Sequence, residues 1–288
     1  MIERIFDLTI ATVSPGEPAP PEAHLVRMDN PPLPVVESCT REGWYYKSRY
    51  VMYVLPVPQS LELYLEAFFR SGSRWHVKRL LREVPKRYRL HVDEEARWEP
   101  QFRALYQRTI VGKPRGIDRL GEHEHDFTED FVGYYLFDGE EMVAGVLAHR
   151  MLRHLSVAYG AFDPEHRRHL DLEHFLIIQV LERSIAERNR YLSLGIDTNR
   201  YGHHLSLGIA PYKMRLGFTP CPYESGGWEL MRIQSWEPFA SGLFFYSWED
   251  GRLVGNLFHR DRESARRFAY RTAPPIVWRP VGMSEQAV

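Results

Sequence analysis

The sequence predicts an α+β protein built on a mixed sheet, and three observations predict it. Residues 131–162 hold three strand-like segments in succession, FVGYYLFD, EMVAGVLAHR and RHLSVAYGAF, separated by turn signals. The segment LDLEHFLIIQVLERSIAER is helical and apolar nearly all round from Phe175 to Leu181, so a sheet and other elements must cover it. The order of elements is strand, two helices, a meander, a long helix, strand, helix and more strands, which is not a regular βαβ alternation.

Taken in order, residues 14–36 carry seven prolines and read as an extended arm. WYYKSRYVMYVLP, rich in aromatic and branched residues, reads as β structure. Ser60 could cap a helix whose Leu61, Tyr64, Leu65 and Phe68 fall on one face. A second helix buries Val77, Leu80, Leu81 and Val84 and carries Arg74, Lys78 and Arg82 beside them, and Pro85 is expected to end it. A short strand over Tyr88–Val92 and a helix over Trp98–Ile110 precede the meander. After the long helix come a buried strand, YLSLGI, and a helix around Leu205–Leu216. The tail holds a hairpin, LFFYSWEDGRLVGNLFHR, with an Asp250-Gly251 turn, and a helix-like ESARRFAYR. The expected organisation is an arm over 1–40, a domain over 41–225 and an extension over 226–288.

The bulk numbers narrow the function classes. With 288 residues, 44% hydrophobic and 13% aromatic, the chain can bury a core. A net charge of −1 provides no global field to gather nucleic acid or acidic membrane, so a local patch must do so. Two cysteines, Cys39 and Cys221, are too few for a disulfide framework or a thiolate zinc site. The N-terminal MIERIFDLTIATV is a poor signal peptide, and no run of about 20 apolar residues is available to span a membrane. The expectation is a cytoplasmic protein, monomer or homodimer.

Three stretches carry a family resemblance: SGSRWHVKRLLREVPKRYRLHV; DGEEMVAGVLAHRMLRHLSVAYGAFDPEHRRH; and RNRYLSLGIDTNRYGHHLSLGIAPYKMRLGFTP. Their order and spacing resemble the GNAT acyltransferase superfamily, and more closely its Fem-type branch of aminoacyl-tRNA-dependent peptidyltransferases. The resemblance implies a splayed mixed sheet flanked by helices. It also implies N-acyl or aminoacyl transfer by direct attack of an amine on an activated ester or thioester, in cell-wall peptide or specialised-metabolite assembly. No tightly bound cofactor is implied; aminoacyl-tRNA or acyl-CoA is the donor co-substrate, and a small-molecule or peptide amine the acceptor.

The splayed strands would be Ser156–Gly160 and Leu192–Ile196, whose unpaired peptide groups an extended donor could satisfy. Tyr159 in the first of these strands, and Arg167 and Arg168 before the long helix, are candidates for binding donor or acceptor. Acetyl-CoA users of the superfamily place glycines at that helix start; here Leu170 and Leu172 stand near those positions and Asp171 adds negative charge. The departure leaves aminoacyl-tRNA, CoA held differently, and a catalytically silent binding module all open.

Lys213, in Tyr-Lys-x-x-x-Gly-Phe, matches the family lysine that faces the oxyanion; a helix C-cap is its bland alternative. Tyr212 and Tyr223 could orient substrate or lend a proton, or fill the core. Asp197 could hold the acceptor amine or cap the next helix. His203, beside His204, could act as a base or be solvated. Arg74, Lys78 and Arg82 belong to a basic run suited to a tRNA stem, or to a solvated face. Two histidine groups, His123, His125 and Asp126, and His166, His169 and His174, lack metal-motif spacing, and no metal site is expected. Cys221 as a nucleophile is disfavoured because direct attack needs no covalent intermediate.

Overall fold

A computed structural model describes residues 1–95, 97–111, 120, 130–166, 170–204, 207–239 and 241–281. The chain forms two compact units: Val54–Gly195, and residues 1–53 together with those from Ile196 onward. This partition differs from the expected 1–40, 41–225 and 226–288. The chain passes from one unit to the other inside strands β5 (Tyr50–Pro56) and β10 (Tyr191–Thr198).

The central unit carries the expected meander. Strands β6 (Arg89–Asp93), β7 (Phe131–Asp138), β8 (Glu141–Met151) and β9 (His154–Phe162) pair antiparallel in sequence order, and β10 joins β9 in parallel. Helix α2 (Leu61–Phe68) starts at Ser60, whose hydroxyl accepts from the Leu63 N–H at 3.2 Å. Helix α3 (Ser71–Arg87) buries Val77, Leu80 and Val84 and turns its basic residues outward. Pro85 does not end this helix. It sits in the last turn, and the helix runs two residues further to Arg87. Helix α4 (Glu99–Val111) packs Phe102, Leu105 and Tyr106 with Tyr135, Phe137 and Leu147 from the sheet. Helix α5 (Leu172–Ala186) is the all-round apolar segment; nine of its residues are buried, from Leu172 to Ser184.

The second unit corrects the reading of the N-terminus as an extended arm. Strands β1 (Ile2–Ile5), β2 (Leu8–Thr12) and β3 (Leu25–Asp29), strand β4 (Tyr45–Ser48) and β12 (Trp228–Ile233) form a mixed sheet in the order β1-β2-β3-β12-β4. The prolines occupy the β2–β3 connection and the start of helix α1 (Leu33–Arg41), where a missing N–H costs nothing. Leu25, Val26 and Met28 between them are buried, and β2 with β3 makes a parallel pair that the prolines only link. Helix α6 (Ile209–Arg215) and strand β11 (Thr219–Pro222) belong here too. The tail hairpin forms as expected from β13 (Leu243–Glu249) and β14 (Arg252–Phe258), with β15 (Ile276–Arg279) added in parallel. The helix-like ESARRFAYR is a 3-10 helix, Arg262–Phe268, not an α-helix.

Candidate active site

The parallel pair β9/β10 is in register over three positions, ending at Ser193 opposite Ser156, where the two hydroxyls hydrogen-bond at 2.7 Å. Beyond that rung both strands become irregular. The β8/β9 register shifts between Leu147 and Ala148, leaving Ala158 as an extra residue in β9. In β10, Gly195 takes φ +70°, and a Cβ there would lie 3.0 Å from the Val157 carbonyl oxygen. Only glycine fits that turn of the strand.

Asp197 lies two residues after Gly195 on the same strand. Its Oδ1 accepts from Lys213 Nζ at 2.6 Å, and its Oδ2 is buried without a hydrogen bond among the described residues. The two side chains are only 17% and 12% exposed, so bulk water screens the pair weakly. Lys213 comes from the last turn of α6, a position where cations are favoured, and Gly217 follows at φ +88° as the helix ends. The ammonium also stands 4.8 Å from the centroid of the Tyr53 ring. Tyr53 and Tyr246 are fully buried and their hydroxyls meet at 2.9 Å. Burial pushes both phenols well up, and the Asp197 charge adds to it, so they stay protonated.

Asn199 holds the end of β10. Its amide donates to the carbonyls of Ser48 and Tyr246, both at 2.8 Å, and its Oδ1 accepts from the Tyr246 N–H at 2.9 Å. The Asn199 carbonyl accepts from Lys47, which is wholly buried and paired with Glu229 at 2.6 Å. Burial lowers the Lys47 pKa and Glu229 works against that shift. His203 follows Gly202, where φ is +68° and a Cβ would meet the Phe244 carbonyl at 2.9 Å. Burial lowers the His203 pKa; Asp197 raises it and Lys213 lowers it, and the net result favours neutral imidazole.

The other expected residues are dispersed. Tyr212 on α6 packs under the Arg215 guanidinium, 5.4 Å from its ring centroid. The Tyr223 backbone N–H donates to the Tyr50 carbonyl at 3.0 Å, at a turn. Tyr159 in β9 packs edge-on to Tyr106 at 6.1 Å, against the α4 core. Lys78 and Arg82 lie exposed on α3 with Arg74 half-exposed, and Arg82 contacts Glu83 at 2.8 Å. Arg167, Arg168, His169 and the His123, His125 and Asp126 group lie outside the described residues. Among the described residues no three His, Cys, Asp or Glu side chains gather as a metal site would require. Asp171 caps α5, accepting from the His174 N–H at 3.1 Å. Cys221 donates to the Met52 carbonyl at 3.3 Å and burial raises its thiol pKa, which suits a structural cysteine. Tyr53, Tyr246, Asn199 and the Lys47–Glu229 pair escaped sequence reading; the usable signal was a charge, Lys47, at an inward position in an aromatic strand.

The model of the acetyltransferase (GNAT) domain matches residues 67–213, a little over half of the chain. The chain belongs to the GNAT acetyltransferase family. It is accordingly an acyltransferase, and its mixed, flanked sheets are those expected of the fold. Among solved structures, the GNAT chain is similar to FemX, at 13% identity over 81% of this chain and 83% of that one, with a TM-score of 0.44. It is similar to L-PGS from Bacillus licheniformis at 11% identity, with 74% and 70% coverage and a TM-score of 0.44. A GCN5-related N-acetyltransferase from Sphaerobacter thermophilus follows at 11% identity, with 72% and 58% coverage and a TM-score of 0.39. No curated protein matches the chain. No helix among the described residues is long and apolar enough to cross a membrane.

Proposed function

We propose that this GNAT protein moves an acyl or aminoacyl group from an activated ester, of the aminoacyl-tRNA kind, to an amine by direct attack, in the manner of the Fem-type branch. The observation that carries the reading is the weakly exposed Asp197–Lys213 pair, with the second Asp197 oxygen unengaged among the described residues. Asp197 Oδ2 takes the acceptor N–H, fixing the amine. Lys213 faces the carbonyl oxygen, where negative charge develops as the C–N bond forms. As the carbonyl re-forms, the C–O bond to the leaving group breaks, and the proton lost by nitrogen ends on that oxygen. Neutral His203 is the side chain suited to relay it. Positioning of the amine by Asp197 and the electrostatics of Lys213 account for the chemistry, and no covalent enzyme intermediate enters.

The donor preference rests on α5. Its first turn is capped by the Asp171 carboxylate and opens with Leu172, a poor cradle for the pyrophosphate of CoA. The outward cations of α3 suit an RNA phosphate backbone. A second reading, acyl-CoA-dependent N-acetylation, is favoured by the family match itself. Product analysis by mass spectrometry, with a panel of amines and either charged tRNA or acetyl-CoA, separates the two. Amide formed from charged tRNA alone is expected. Amide formed from acetyl-CoA alone would transfer the assignment to the second reading, and no amide from either donor would reject both.

A further inference from the structure

Two turns at one edge of the central unit carry arginine in the left-handed region, as the β1/β2 turn carries Phe6 at φ +55°. The hairpin loops Gly139–Glu140 and Asp250–Gly251 place glycine in the left-handed region. The β8/β9 hairpin instead closes through Leu152–Arg153, with Arg153 at φ +60°. Immediately after α5 the chain again uses arginine, Arg188 at φ +56°, where glycine or asparagine would be cheaper. The two turns are neighbours: the Arg190 N–H donates to the Arg153 carbonyl at 2.9 Å, and Tyr191 pairs with His154.

Together they present an apolar tip inside a cationic ring. Leu152 is 97% exposed, Met151 52% and Tyr191 42%. Arg153, Arg188 and Arg190 are exposed around them, and the Arg190 guanidinium lies 5.8 Å from the Tyr191 ring centroid. The acids nearby are engaged: Glu94 by Arg150 and Arg183, and Glu187 by Arg183 at 2.5 Å. Among the described residues no carboxylate is paired with Arg153, Arg188 or Arg190, and the three outer arginines add positive charge to this edge.

We propose that this edge docks the protein on an anionic lipid surface, with Leu152 and Met151 entering the acyl boundary and Arg153, Arg188 and Arg190 meeting headgroup phosphates. A protruding aliphatic tip gains nothing from a nucleic acid, which has no apolar medium to receive it, whereas an interface suits Leu, Tyr and Arg in this arrangement. The inference is independent of the transfer reaction proposed above.

Vesicle co-sedimentation of the full chain tests it. Binding is expected to vesicles of phosphatidylcholine mixed with phosphatidylserine, to be weak on phosphatidylcholine alone, and to fall with salt. Leu152→Ser should weaken binding roughly tenfold and Arg190→Glu about fivefold or more, both with unchanged melting because these side chains are exposed. A Leu152→Trp reporter should shift its emission to the blue on adding the mixed vesicles. Absence of binding to mixed vesicles, or binding that neither substitution weakens, overturns the proposal. So does a change of oligomeric state in Leu152→Ser, which would assign the tip to a second copy of the chain, or a stronger response of RNA binding than of vesicle binding to Arg190→Glu.

Discussion

Removing Lys213 should destabilise the protein, and removing Asp197 as well should add almost nothing to that loss. The pair is 2.6 Å apart with both side chains less than a fifth exposed. At an effective dielectric of about 20, Coulomb attraction at that distance is about 6 kcal/mol, most of which desolvation offsets. A net coupling of about 2 kcal/mol is the expected remainder, in the range of measured close pairs. Lys213→Ala leaves the largely enclosed Asp197 carboxylate without its cation, beside two phenols that stay neutral, and it also loses the ammonium above Tyr53. The single variant should therefore cost about 3 kcal/mol, Asp197→Ala about 2 kcal/mol, and the double variant about 2 kcal/mol less than their sum. Urea unfolding followed by tryptophan emission, run on the four proteins, measures the cycle. Coupling under about 0.5 kcal/mol would show that the pair is not formed in solution, and the electrostatic argument for the site would go with it.

Three further outcomes follow from the surrounding contacts. Glu229→Ala strands the buried Lys47 charge and should cost about 3–5 kcal/mol, whereas Glu229→Ala with Lys47→Met should recover most of it; thermal melts of both check this. Tyr246→Phe takes the Tyr53 hydroxyl's partner away and should cost about 1–2 kcal/mol; Tyr53→Phe leaves the Tyr246 hydroxyl its contact with Met214 Sδ at 3.8 Å and should cost about 1 kcal/mol, and the double variant should cost less than the sum. His203 has its pKa held below the ordinary 6.5 by burial, so the unfolded chain binds its proton more readily than the folded one. Stability is then fully present above pH 6.5 and falls as pH drops from there toward the folded pKa; His203→Gln should flatten that part of the stability profile, and an unchanged profile would refute the assignment.

Much of the fold was legible because it obeys local periodicities. Short runs of aromatic and branched residues bounded by turn signals, FVGYYLFD and its successors, gave the meander, and the unbroken apolar run of α5 gave a covered helix. The N-terminal sheet was not legible: β3 is five residues long, four of them buried, so it shows no alternation and lies among prolines. Pro85 failed as a stop because a last-turn proline loses one hydrogen bond and the capping Tyr88 N–H still reaches the Val84 carbonyl. In the site, Lys213 and Asp197 could each be named from the sequence. Their salt bridge could not, since 16 residues separate them. Nor could Tyr53 and Tyr246 be paired across 193 residues, because neither differs in type from the core tyrosines around it. Such contacts are set by which strands the topology brings together, information that residue spacing does not hold.

Single-turnover amide formation, wild type against Lys213→Ala and Lys213→Arg, bears most directly on the reaction centre. With donor and amine saturating, loss of the ammonium should slow the chemical step about 10²–10³-fold while leaving substrate affinity nearly unchanged, and arginine should restore part of the rate. A Lys213→Ala protein that forms amide at the wild-type rate would place the chemistry elsewhere in the chain.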